Sequence, residues 1–317
     1  MELRDFGRLG RISALTLGGG GIAGVWGSTG RAEAVATIHA ALDAGITMLD
    51  LAPSYGADHE SERAAGEALR SVSAPDLMIT SKVSLEDDTE RDFAARIRRG
   101  LTASLGRIGR DHLDLFLLHT QIRVEGPHPG SIGPDGYLEA AATFERLRDE
   151  GLIRAWGITA VGHPDGVLTA LRNTPRPDAA QIVVNPLDFN GDLWFFPGVR
   201  PRTDDIVRSA TENGVQVIGI RAVAAGSLTA SLDRTLEAAH PAAIDFVRAE
   251  PFRKLAAEWG TAPAVLAHRY ALSVPGVSTV VLGVKNRTEL TECLAAEAAG
   301  PLPEAEMNAL TTLRTTT

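Results

Sequence analysis

Four ionisable side chains stand at the ends of three successive apolar runs in the first half of this chain. Ile46–Leu51 carries Asp50 and leads through Ala52, Pro53 and Ser54 to Tyr55; Leu77–Ser81 is followed by Lys82; Leu113–Leu118 runs straight into His119. A free phenol, with a pKa near ~10, is a slow proton donor at neutral pH. A neighbouring ammonium stabilises the phenolate, and a carboxylate holds the ammonium in place. A hydride delivered to a carbonyl carbon builds negative charge on the oxygen, which then needs a donor. Tyr55 is the expected general acid/base, tuned by Lys82 and Asp50, with His119 orienting the carbonyl. One preorganised donor of this kind is worth on the order of ~3 kcal/mol. Singly, each residue has a plain structural reading as a turn residue, solvated cap or hydrogen-bonded histidine. Their joint occurrence at equivalent strand ends is what points to carbonyl reduction or alcohol oxidation.

The elements that must position them alternate regularly. Strand-like runs fall near Ala14–Gly18, Ile46–Asp50, Leu77–Ser81, Leu113–Leu118, Ile153–Ile158, Gln181–Val184, Val215–Ile220 and Thr279–Gly283. Helical patterns lie between them, at Arg31–Ala44, Glu60–Arg70, Glu90–Leu105, Gly136–Glu150, His163–Arg172, Arg202–Asn213, Thr261–Leu272 and Arg287–Ala298. Eight continuous apolar strands with helical crossovers predict an α/β (β/α)8 TIM barrel forming one domain over residues 1–317. Phe6–Ser13, with two glycine-bounded turns, reads as an N-terminal hairpin closing the barrel floor. Three stretches, Thr120–Asp135, Pro186–Pro201 and Ala222–Ala239, are too long for plain connections and follow strands, so they belong on the catalytic rim as long loops. Trp194 in the second is a candidate substrate wall or lid, and Trp26 a second pocket-lining residue.

The formal net charge of −9 argues against nucleic acid or an anionic membrane as partner. The expected partner is a small-molecule carbonyl or alcohol substrate; the oligomeric state stays open. The single cysteine, Cys293, fits a reducing compartment, and the N-terminal residues lack the pattern of a signal peptide. A cytoplasmic protein is expected. The eight histidines show no metal spacing, and no metal site is expected.

A literal G-x-G-x-x-G, Gly19 to Gly24, follows the first strand. It lacks the context of a dinucleotide fingerprint, because residues 25–30 intervene before a helix can start. These glycines, Gly20 among them, more plausibly let backbone pass close to a nicotinamide or substrate. Phosphate in barrels tends to sit between the loops after strands seven and eight, where Gly226, Ser227, Leu228, Gly283 and Lys285 stand.

Leu49-Asp50-Leu51-Ala52-Pro53-Ser54-Tyr55-Gly56 with Ser61-Glu62 and Gly66, then Ile79–Val83, then Ser104–Gly109 with Asp111–Leu115 and Leu118-His119, resembles the successive signatures of the aldo-keto reductases. The resemblance runs through nearly the whole chain. It implies a (β/α)8 barrel, an extended NADP or NAD, and Asp50, Tyr55, Lys82 and His119 as a catalytic tetrad. It also implies Gln181 on the nicotinamide carboxamide, the loop around Gly226 on the pyrophosphate and the start of the last helix on the adenosine. Three positions depart from the family pattern. Thr159-Ala160 stands for a Ser-Asn pair, Ile220 for a stacking aromatic, and Glu289 and Cys293 for the residues that usually face the adenosine. A carboxylate at Glu289 disfavours a 2′-phosphate and leans to NAD, while Lys285 and Arg287 lean the other way. The alternative function is a cofactor-binding regulatory or scaffold protein of the same fold, resembling the potassium-channel β subunits, with little turnover.

Overall fold

The computed structural model describes residues 1–86, 92–126 and 128–316. Eight parallel strands close into a barrel in chain order: β1 (Leu15–Gly18), β2 (Met48–Asp50), β3 (Met78–Val83), β4 (Leu113–Leu118), β5 (Ile153–Thr159), β6 (Ala179–Val183), β7 (Gln216–Ile220) and β8 (Val277–Leu282). β1, β3 and β4 are buried at every position, the apolar residues and the polar Thr16, Thr80, Ser81, Lys82 and Asp114 alike, as strands covered on both faces require. The helices that follow the first seven strands are Arg31–Asp43, Glu60–Leu69, Phe93–Ile108, Pro134–Asp149, Pro164–Arg172, Thr203–Glu212 and Pro263–Ser273, and Arg287–Ala298 follows the eighth. The expected third helix began at Glu90, which lies outside the described residues. Helices Pro241–Arg248 and Glu250–Glu258 precede the seventh crossover helix, and Glu304–Thr316 follows the last; the sequence reading included none of them.

Two layers of apolar packing hold the barrel. The larger lies between strands and helices and includes Leu49, Ile79, Phe116, Trp156 and Val280. The smaller fills the interior: Met48, Met78, Leu115, Leu117 and Ile218 meet Phe6, Leu9 and Ile12 from below. Those last three belong to the N-terminal hairpin, whose strands Leu3–Asp5 and Arg11–Ser13 pair antiparallel. The hairpin is thus the expected floor. Burying a side chain of this size contributes roughly 1.5–3 kcal/mol, so the plug anchors the end opposite the functional rim.

The glycine run has a role at the barrel seam. A Cβ on Gly18 would fall 2.3 Å from the Leu282 carbonyl oxygen, and one on Gly21 2.1 Å from that of Val284. Strand β1 and its extension therefore pass against β8 at a distance only glycine permits. A single helical turn, Gly19–Ile22, does form directly after β1, against the expectation that no helix starts there. It is one turn, and the crossover helix begins only at Arg31.

Candidate active site

All four tetrad residues come together at the C-terminal end of the barrel. Strand β3 runs through Val83, so Lys82 lies inside a strand rather than just beyond it, a correction to the sequence reading. The register pairs Asp50 with Thr80 and Lys82 with Leu117. Lys82 Nζ lies 3.0 Å from both Asp50 carboxylate oxygens and donates to the Leu51 carbonyl at 2.9 Å. Both side chains are buried. Such a pair holds because its remaining hydrogen-bonding capacity is met: Gln181 Nε2 donates to Asp50 Oδ1 at 2.7 Å.

Tyr55 and His119 sit above this pair and are only half-buried. The Lys82 ammonium is 4.6 Å from the Tyr55 ring centroid, and the Tyr55 and His119 rings meet edge to face, 5.9 Å apart at 88°. Backbone fixes each ring. His119 N–H donates to the Val83 carbonyl at 2.7 Å, and Tyr55 N–H to that of Ala52 at 3.2 Å. Gly56, at φ 77°, lies so close to Ala23 that a Cβ would fall 2.6 Å from its carbonyl oxygen.

The electrostatics refine the expected tuning. Burial pushes the Tyr55 phenol above its ordinary value, and Lys82, which pulls it down, does not fully offset that. Burial opposes the charge of Lys82, yet Asp50 and Tyr55 hold its pKa above the usual lysine value. Burial, with the nearby Lys82 charge, pushes the His119 imidazole down to about 3. At neutral pH the cluster is therefore a protonated phenol beside a cation, with a neutral imidazole facing it. That arrangement can donate a proton to one oxygen atom and hydrogen-bond it from a second side.

The rim residues expected to hold a cofactor fall into three groups. Thr159 and Gln181 are register partners on β5 and β6, and the Thr159 hydroxyl is buried without a hydrogen-bond partner. Ile220 packs onto the interior core at the top of the barrel. Trp26 lies over Gly20 and Gly283, its Nε1 3.3 and 3.4 Å from the positions their Cβ atoms would take. Around the eighth-strand loop, Lys285 Nζ pairs with Asp233 and, at 3.0 Å, with Glu289; Glu289 Oε2 accepts from the Lys285 N–H at 2.9 Å. Asn286 caps the helix Arg287–Ala298 by accepting from Glu289 N–H at 3.0 Å.

The other rim residues have these surroundings. The Ser227 hydroxyl turns inward to the Ala242 carbonyl at 2.9 Å, and the Leu228 side chain is buried. Gly226 adopts φ 95° and faces Arg234. Trp194 joins Phe195, Phe196, His128 and His163 in an aromatic cluster and lines a small cavity with Val161 and Ile182. Among the described residues no group of histidine, cysteine or acidic side chains could hold a metal, and no helix is long and apolar enough to cross a membrane.

Arg221 is a rim cation that the sequence analysis did not single out, its side chain 9% exposed. It follows β7 directly, as His119 follows β4, and the same signal, a charge at the end of an apolar strand, was available to find it.

A closed parallel barrel with a polar, proton-bearing cluster at the C-terminal ends of its strands belongs to the TIM-barrel enzymes. The chain is a member of the aldo/keto reductase family, whose model matches residues 14–315. It is 25% identical over 307 residues to L-galactose dehydrogenase of Arabidopsis thaliana, covering 93% of this chain and 88% of that one. The fold matches an aldo-keto reductase of Bacillus halodurans in its holo form at TM-score 0.70 and 22% identity, over 96% and 92% of the two chains. It also matches the glycerol dehydrogenase of Gluconobacter oxydans at TM-score 0.71 and 22% identity, over 96% and 92%. The protein is thus a nicotinamide-dependent oxidoreductase acting on small carbonyl or alcohol compounds.

Proposed function

We propose that this single-domain, cytoplasmic enzyme interconverts a carbonyl and an alcohol with Tyr55 as general acid/base, and that NAD is its preferred cofactor. The observation that carries the first part is the buried Asp50–Lys82 pair directly beside the Tyr55 ring. The hydride would come from, or go to, a nicotinamide held at this rim. Tyr55 donates its phenolic proton to the substrate oxygen on reduction and takes it back on oxidation. Lys82 stabilises the phenolate left behind, Asp50 fixes Lys82, and neutral His119 hydrogen-bonds the same oxygen.

The unpartnered Thr159 hydroxyl, beside Gln181, fits a carboxamide at the barrel mouth. Trp26 over Gly20 and Gly283 would border the cofactor, with Gly226 near the pyrophosphate and Glu289 near the ribose. The cations that could welcome a 2′-phosphate are already engaged. Lys285 pairs with Asp233 and Glu289, and Arg287 is bidentate to Glu33 at 3.0 Å for each contact. A phosphate there would displace a carboxylate and face Glu289, which supports NAD. Parallel fluorescence titrations with NADH and NADPH test this: NADH is expected to bind at least as tightly. Clearly tighter NADPH binding would reverse the cofactor assignment.

A further inference from the structure

The Arg221 guanidinium is embedded in the rim. Its side chain is 9% exposed, its Nη1 lies 2.8 Å from Asp192 Oδ1, and it donates to the Asn190 carbonyl at 3.4 Å. Gly191, between those two residues and at φ 57°, makes room for it: a Cβ there would fall 3.1 Å from Nη1. On the other side the guanidinium lies 5.5 Å from the Trp26 ring. Trp26 is borne on the segment whose Ala23 packs against Gly56, next to Tyr55. The Arg221 charge also reaches the Tyr55 phenol. Its backbone is strained, with Arg221, Ala224 and Ala225 at φ 55°, 48° and 55°. Non-glycine residues persist in that region only where their surroundings impose it, and they concentrate at ligand clamps.

We infer that the Arg221–Asp192 pair is the substrate-selecting clamp of this enzyme and that it selects neutral, polyhydroxylated substrates over carboxylates. This rests on the oxidoreductase reading of Tyr55. The pair offers donors and an acceptor side by side, the complement of vicinal hydroxyls, which both donate and accept. Asp192 is about half exposed, at 48%, so its free oxygen is available from the rim. A carboxylate substrate would meet a guanidinium already neutralised by Asp192, with Asp245 nearby and a chain of net charge −9 around it.

The test compares an aldose, the corresponding uronate and a deoxygenated aldehyde of equal chain length. Each is assayed with wild type, Arg221→Met and Asp192→Asn, with NADH titrated into every protein. Removing a charge-assisted hydrogen bond should lower the aldose-to-deoxyaldehyde ratio of kcat/KM about 10- to 100-fold in Arg221→Met. In Asp192→Asn, a half-exposed change that leaves the buried guanidinium in place, the uronate-to-aldose ratio should rise about tenfold at low salt. Unmoved ratios in both variants, with wild type turning over the deoxyaldehyde, would overturn the clamp and leave the Tyr55 reading standing. A loss of NADH affinity without a change in ratio would also overturn it, assigning Arg221 to the cofactor. Absence of wild-type turnover on all three substrates would overturn both readings.

Discussion

The Asp50–Lys82 pair beneath Tyr55 and the rim around it are built on opposite terms. Asp50 and Lys82 sit on β2 and β3, buried, and Gln181 on β6 closes the third side. Trp26, Asp192, Arg221, Asp233 and Lys285 sit on connections, partly exposed and joined across long sequence separations by ion pairs and by the Arg221 guanidinium against the Trp26 ring. The strand-borne group cannot move without breaking sheet register, whereas the rim can exchange partners at modest cost. The sheet thus fixes the ion pair that tunes Tyr55 and leaves cofactor preference and substrate choice to surface charges.

That contrast breaks first at Lys82. Lys82→Met strands the buried Asp50 carboxylate, so a stability loss of about 3–5 kcal/mol in urea unfolding is expected. Turnover should fall with it, by roughly 10²–10⁴. A variant as stable as wild type would mean the pair is not buried as described. At the rim the effects should be smaller and confined to specificity. Glu289→Gln combined with Asp233→Asn frees Lys285, and the NADPH-to-NADH affinity ratio should rise about tenfold at low salt and less at high salt. A ratio insensitive to salt would place the 2′ end of the cofactor elsewhere.

The pH dependence sharpens the comparison further. Reduction needs a protonated phenol, and burial raises the Tyr55 pKa, so kcat/KM for reduction should stay level through neutrality and fall only at strongly alkaline pH. His119, held down near 3, is neutral throughout and should add no bend near 6.5. The smallest effect is on stability. The unfolded chain binds the His119 proton below about 6.5, whereas the folded one does so only near 3, so stability should be lost as pH falls through that window. Because His119 is only half-buried, the His119→Asn change should remove about 1 kcal/mol of the difference between pH 7.5 and pH 5. An unchanged difference in thermal melts would contradict the depressed pKa.

The same contrast explains what could be read in advance. β4 occurs at Leu113–Leu118 and the last crossover helix at Arg287–Ala298, as expected, because apolar continuity and helical period report burial directly. The tetrad was legible because strand ends are countable. The end of β3 is the exception: the strand continues two residues past Ser81, through Lys82 to Val83. The pairing of Gln181 with Asp50 joins positions 131 residues apart, and nothing local in either segment encodes it. The direction of the Ser227 hydroxyl, inward to the Ala242 carbonyl, depends on a helix fifteen residues further along the chain and is not encoded in the loop. The raised Tyr55 pKa depends on burial, which the motif alone does not quantify.

The central claim is that Tyr55 moves the proton. Turnover and NADH fluorescence quenching, measured together for wild type and Tyr55→Phe on an aldehyde that wild type reduces, test it most directly. Loss of turnover by about 10³, with quenching retained, is the expected result. A Tyr55→Phe enzyme that still turns over at near wild-type rate would contradict the account.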